Sequence, residues 1–133
     1  MGITNAAMAD TKIAVVDVPA VVNKSAQVQA LKKDQQLKAQ EIVKFIEKAR
    51  KDVASISDAK KKQAAEEKYN KELQAKKEKM DTDYAAKLKA IDESISSQIA
   101  AKAKADGYDI VLSKGIVLYG GTDITAEVAK IIK

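Results

Sequence analysis

The chain contains no histidine, no cysteine and no tryptophan, and only one proline and one phenylalanine among its 133 residues. Each absence excludes something. Without His or Cys there is no ordinary nucleophile–base pair, no thiol redox chemistry and almost no route to a zinc or haem site. Asp and Glu remain as potential acids or hard-cation ligands, but they are scattered at helix-surface spacing. No D-x-[DN]-x-[DN]-G loop gathers them. No G-x-x-x-x-G-K-[ST] phosphate loop is present either. The expectation is a protein that is not an enzyme and has no metal and no cofactor. Zero Cys suits a reducing or an oxidising compartment equally.

Aromatics make up only 4% of the chain and charged residues 32%, while apolar residues still reach 46%, much of it Ala. Ala favours helix more than it fills a core. The composition suggests a long helix or coiled coil carrying a small globular part. No run has membrane length. In the N-terminal MGITNAAMADTK, Ala7-Met8-Ala9 reads like the small-x-small end of a secretory cleavage site, with a disordered tail or cloning remnant over residues 1–11 as the plain alternative.

Ile13 to Val18, IAVVDV, is the first strand candidate, and Pro19 then suits the first turn of a short helix, PAVVNKS. Ser25 is a plausible N-cap for a longer helix. From Ala26 to Ile56 the apolar residues Val28, Leu31, Ile42, Phe45, Ile46, Ala49, Val53 and Ile56 recur at steps of three and four or their multiples. Gln35 and Lys38 interrupt that seam, and Leu37 and Val43 lie off it. Ser57 and Asp58 offer N-caps for a second helix, so residues 54–58 read as the tip of a helical hairpin. One uninterrupted helix of about 80 residues is the alternative.

In the second helical segment, Asp58 to Ala105, Tyr69, Met80 and Ile91 are eleven apart, as are Leu73, Tyr84 and Ile95, and Leu88 and Ile99. An eleven-residue repeat gives about 3.67 residues per turn, close to the α-helix's own period, and predicts a nearly straight strut. Gly107 ends it as a C′ glycine. Next comes YDIVLSKGIVLYGG, which predicts strands at Tyr108–Ser113 and Ile116–Tyr119 around a two-residue Lys114-Gly115 turn. A last short helix starts with Thr125 as N-cap, Glu127 in its first turn, and Val128, Ile131 and Ile132 on its apolar face.

The net charge of +5 lies in the helical segments, the flanking parts being balanced. At the hairpin tip Lys48, Arg50, Lys51, Lys60, Lys61 and Lys62 are opposed within that stretch only by Asp52 and Asp58. Such a tip attracts polyanions: an anionic membrane surface, lipopolysaccharide, nucleic acid or an acidic protein. An ordinary solvated helix end is the plain reading. Nucleic acid fits poorly, because interleaved aromatics and arginines are missing.

The fold class is therefore α+β: a small β-body with three short strands per chain, formed by residues 12–25 and 106–133, and a long antiparallel α-helical hairpin arm over residues 26–105. Ile13, Val15, Ile110, Leu112, Val117 and Tyr119 need covering, and a unit this small cannot cover them alone. Association of several chains through their sheets would do so, which makes these six the candidate oligomer interface.

The segments IAVVDV-x-x-VVNKS, QALKK and YDIVLSKGIVLYGGTDITAEVAKIIK resemble the Skp/OmpH family of periplasmic chaperones, over residues from about Thr11 to Lys133. The opening VD and the closing DIT-x-EV pieces are the distinctive ones, and the helical middle agrees in character only. The resemblance implies a homotrimer whose arms surround a central cavity, a periplasmic location, and an ATP-independent holdase for unfolded outer-membrane proteins. It carries over no lipopolysaccharide-binding residues, since no motif for them aligns. Client contact would fall on the tip cations and on Tyr69 and Tyr84, although the eleven-residue repeat also places both tyrosines in the seam between the arm helices. The gaps at Gln35 and Lys38 should let the arm splay. A coiled-coil scaffold and a basic-tipped polyanion binder are the other function classes the residues allow.

Overall fold

The computed structural model describes residues 11–133. The cleavage-like Ala7-Met8-Ala9 and the tail expected before residue 11 lie outside the described residues. In chain order the elements are β1 (Ile13–Val16), α1 (Val18–Lys24), α2 (Ala26–Ala54), α3 (Ala59–Ala105), β2 (Ile110–Ser113), a 3-10 turn (Lys114–Ile116), β3 (Thr122–Asp123) and α4 (Thr125–Ile131). They divide into two compact units, one up to Gln29 and from Ala90 to Lys133, the other Ala30–Lys89.

In the first unit Asp17 ends β1 and starts α1 as its N-cap, its side chain accepting from the Ala20 amide at 3.3 Å. Pro19 sits in the first turn, where a missing N–H is harmless. Ser25, fully buried, closes α1 and opens α2. Its hydroxyl accepts from the Val28 amide at 3.4 Å and donates to the main-chain oxygen of Lys133 at 2.6 Å. The predicted cap is there, and it also ties down a residue 108 positions away. Gly107, at φ 84°, ends α3: the Tyr108 amide returns to the Ala103 carbonyl at 2.9 Å, as a left-handed C′ residue permits.

The sheet departs from the expected hairpin. β1 lies in the middle, β2 and β3 flank it, and both pairings are parallel. Ile116–Tyr119 is not a strand. Lys114 and Gly115 form a 3-10 turn closed by the Val117 amide on the Lys114 carbonyl at 3.2 Å. A two-residue hairpin turn needs positive φ, and Gly115 does not take it, whereas Gly120 and Gly121 do at 91° and 80°. These glycines bring the chain round to the other edge of β1. At Gly121 a Cβ would stand 2.5 Å from Val15 Cγ2, so only glycine fits there. The Ile124 amide then donates to the Val15 carbonyl at 2.9 Å.

Alternation along the strands sorts the side chains. Ala14, Val16 and Val111 face the helices, where Val21, Val28, Ile95, Ile99, Ala103, Ile124 and Val128 complete one core. Ile13 pairs with Ile110 and Val15 with Leu112, on the opposite face.

Thr125 is the first residue of α4 rather than its cap, which falls on Ile124 without a side-chain bond. Asp123 does the capping instead, accepting from both the Thr125 amide (2.9 Å) and the Thr125 hydroxyl. The hydroxyl oxygen in turn accepts from the Asp17 amide at 2.9 Å, joining the starts of α1 and α4. These Thr125 bonds, then the Lys114 ammonium, depress the Asp123 carboxyl from 3.8 to about 2. A depressed carboxyl stabilises the fold above its unfolded value and loses that contribution as pH falls through about 2. The urea-midpoint gap between wild type and Asp123→Ala should therefore be widest above about pH 4 and narrow steadily toward about pH 2.

In the second unit, partners fall along α3 as they rise along α2, so the helices run antiparallel. Lys87 bonds Asp34 at 3.0 Å, Asp83 lies 4.0 Å from Lys38, and Tyr69 pairs with Phe45. The helices are separate, joined by a turn at residues 55–58, which disposes of the single-helix alternative. The Ser55 hydroxyl donates to the Asp52 carbonyl at 2.7 Å to end α2, and Asp58 Oδ1 accepts from the Lys60 amide at 3.2 Å to start α3.

Candidate functional site

Two surfaces carry the residues singled out by sequence. The first is the sheet face turned away from the core. The parallel register places Ile13, Val15, Ile110 and Leu112 together there. Val15 is only 5% exposed, since the returning chain at Gly121 covers it, while Ile110 is 45% exposed and Leu112 half-buried. The segment after the 3-10 turn is barer still. Ile116 and Leu118 lie open, Tyr119 is 98% exposed, and Val117 is half-buried. Parallel sheets are otherwise found covered on both faces. Here, among the described residues, the chain's own helices form a core with one face only.

The second surface is the two-helix unit, above all its tip. Two helices cannot enclose a core, and Phe45, Ile46, Val53, Tyr69, Leu73 and Met80 all remain half-buried. Tyr69 lies in the seam: its ring meets Phe45 edge-on at 5.8 Å and its hydroxyl donates to Asp52 at 2.5 Å. That bond to a carboxylate pushes the Tyr69 phenol above its usual range. Lys76 stacks over the other partner, with its ammonium 5.1 Å from the Phe45 ring centre. Tyr84, by contrast, is 39% exposed. The two tyrosines, alike in the repeat, thus sit in different settings.

Among the described residues, none of Lys48, Arg50, Lys51, Lys60, Lys61 and Lys62 forms an ion pair. Of the two acids in that stretch, Asp52 accepts from the Tyr69 hydroxyl and Asp58 from the Lys60 amide, and neither forms an ion pair. The ion pairs of this unit gather away from the tip, where Asp34 holds Lys38 at 3.3 Å and Lys87 at 3.0 Å. Hydrogen bonds from Lys87 and Lys38 lower the Asp34 carboxyl, and Asp34 raises the Lys87 ammonium. The seam gap at Gln35 and Lys38 is thus occupied by a charge cluster that joins the two helices. Sequence reasoning missed it because Asp34 and Lys87 are 53 residues apart.

Among the described residues no group of acids is placed to hold a metal ion, and no helix is long and apolar enough to cross a membrane. A small parallel sheet with a partly open apolar face, and a helical hairpin with a half-open seam and a lysine-rich tip, define a fold of the α+β class. Its place within that class is set by comparison: the family model described as Outer membrane protein (OmpH-like) matches residues 12–132, and the chain belongs to that family. Its members are chaperones and not enzymes. A comparison with curated proteins gives no match.

Proposed function

We infer that the protein is an ATP-independent holdase of the periplasm, which binds unfolded outer-membrane proteins and keeps them from aggregating. Membership of the OmpH-like family supports the class of activity. The observation that carries the mode of binding is the half-open seam of the hairpin, where Phe45, Ile46, Val53, Leu73 and Met80 stay partly accessible along two lysine-rich helices. Weak apolar contacts spread over such a surface hold an unfolded chain without one sharp site. The long aliphatic stems of lysine extend the apolar area while keeping charge in water. The unpaired tip cations would speed capture of acidic clients and make it sensitive to salt.

In this reading three chains associate through the bare sheet face and the exposed segment 116–119, and their arms surround the cavity that takes the client. Ile13, Ile110, Leu112, Val117 and Tyr119 form the interface, with Val15 supporting it from beneath the Gly121 turn. The same basic tip supports contact with an anionic membrane surface or lipopolysaccharide as a second reading.

A denatured outer-membrane barrel protein diluted into buffer separates holdase from scaffold. The expected result is loss of light scattering at near-stoichiometric chaperone without ATP, with capture slowing as salt rises. Undiminished scattering would overturn the holdase, and salt-independent capture would overturn the electrostatic part.

A further inference from the structure

Near its tip the two-helix unit holds a groove of about 590 Å³ between α2 and α3. Its floor is apolar: Phe45, Ile46, Val53 and Leu73 line it, with the Tyr69 ring among them. Arg50 and Lys62 stand on its rim, together with one carboxylate, Glu66. The size falls within the range of pockets that hold small groups. Ring and charge are already arranged by the chain itself. Tyr69 is fixed edge-on to Phe45 with its hydroxyl on Asp52, and Arg50 and Lys62 form no ion pair, so that two cations face the single rim carboxylate of Glu66.

We propose that this groove is a docking site for a stretch of unfolded polypeptide that carries an aromatic side chain flanked by carboxylates. The aromatic ring enters between Phe45 and Leu73, where a third ring can join an edge-to-face pair. The flanking carboxylates reach Arg50 and Lys62, of which the arginine offers a planar fork suited to bidentate pairing. Charge complementarity selects this occupant. An apolar segment without acids leaves the rim cations unpaired, and an acidic segment without a ring leaves the apolar floor wet. The inference rests on the holdase reading for its biological occupant, and it adds to that reading a preferred sequence character in the client and a defined point of first contact.

The test uses the full chain and a fluorescent blocked peptide of alternating Phe and Glu, read by anisotropy. Two control peptides replace Phe by Ser, or Glu by Lys. Ala49 also lines the groove, so Ala49→Phe fills it, while Arg50→Glu with Lys62→Glu reverses its rim on exposed positions that leave the fold intact. Leu37→Ser, an exposed position outside the groove, is the matched control.

The expected result is binding of the Phe/Glu peptide at least about tenfold tighter than of either control peptide. Both groove variants should lose that preference and Leu37→Ser should keep it. Equal binding by wild type and both groove variants overturns the site. So does a wild type that binds vesicles of anionic lipid but not the peptide. Aggregation suppression is measured beside it. Suppression without groove-dependent peptide binding refutes this site and leaves the holdase standing, whereas groove-dependent binding without suppression refutes the holdase and leaves the site.

Discussion

Gly121→Ala should destabilise the first unit by about 2–5 kcal/mol, the sum of a left-handed backbone penalty and forced repacking. Both causes are present at this one position. Gly121 has φ 80°, and its absent Cβ would stand 2.5 Å from Val15 Cγ2. The neighbour that would have to give way is itself buried in the central strand, which has β2 and β3 on either side. Gly107→Ala supplies the contrast. It shares the positive φ, at 84°, but nothing lies within 4 Å of its Cβ position. Its cost should be the backbone part alone, about 1–2 kcal/mol. Urea unfolding followed by far-ultraviolet circular dichroism, at one fixed protein concentration, measures the pair. Equal shifts for the two would mean that the chain at Gly121 does not press on Val15.

This contrast also marks where the sequence was readable. Positions governed by neighbours in sequence came through: the helix over Ala26–Ala54, the break near Ser57, the C′ role of Gly107 and the cap at Ser25 all derive from spacing or from one residue's chemistry. The sheet did not. A parallel pairing joins Ile13 to Ile110 across almost the whole chain, and nothing local announces it. The local signal at Lys114-Gly115 pointed instead to a hairpin, which the open edges of β1 outcompeted. The roles of Asp123 and Thr125 were hidden for the same reason, because Thr125 answers to Asp17, 108 residues earlier. At the candidate surfaces, composition disclosed which residues were basic or apolar. It did not show that Asp52 would accept from Tyr69, or that none of the six tip cations would form an ion pair.

Ile110→Asp combined with Tyr119→Asp should turn the proposed trimer into a monomer while leaving each chain folded. The prediction turns on the difference between what the single chain covers and what it leaves open. Ile110 is 45% exposed and Tyr119 98% exposed, so a carboxylate at either position stays in water in the isolated chain and disturbs no core. In an assembly that covers the sheet face, the same carboxylates would be buried without partners, at a cost of several kcal/mol for each charge. Val128→Asp tests the opposite case: Val128 is fully buried in the single chain, so the charge should unfold the unit itself. Light-scattering mass and circular dichroism distinguish the outcomes. The double variant should keep its helical signal with monomer mass, and Val128→Asp should lose signal. A double variant that remains trimeric would remove the interface from this face, and a monomeric wild type would remove the trimer. If the monomer forms as expected, its capacity to suppress aggregation decides a further point: a client held in a cavity shared by three arms escapes when the arms separate, whereas a client held by one arm's groove does not.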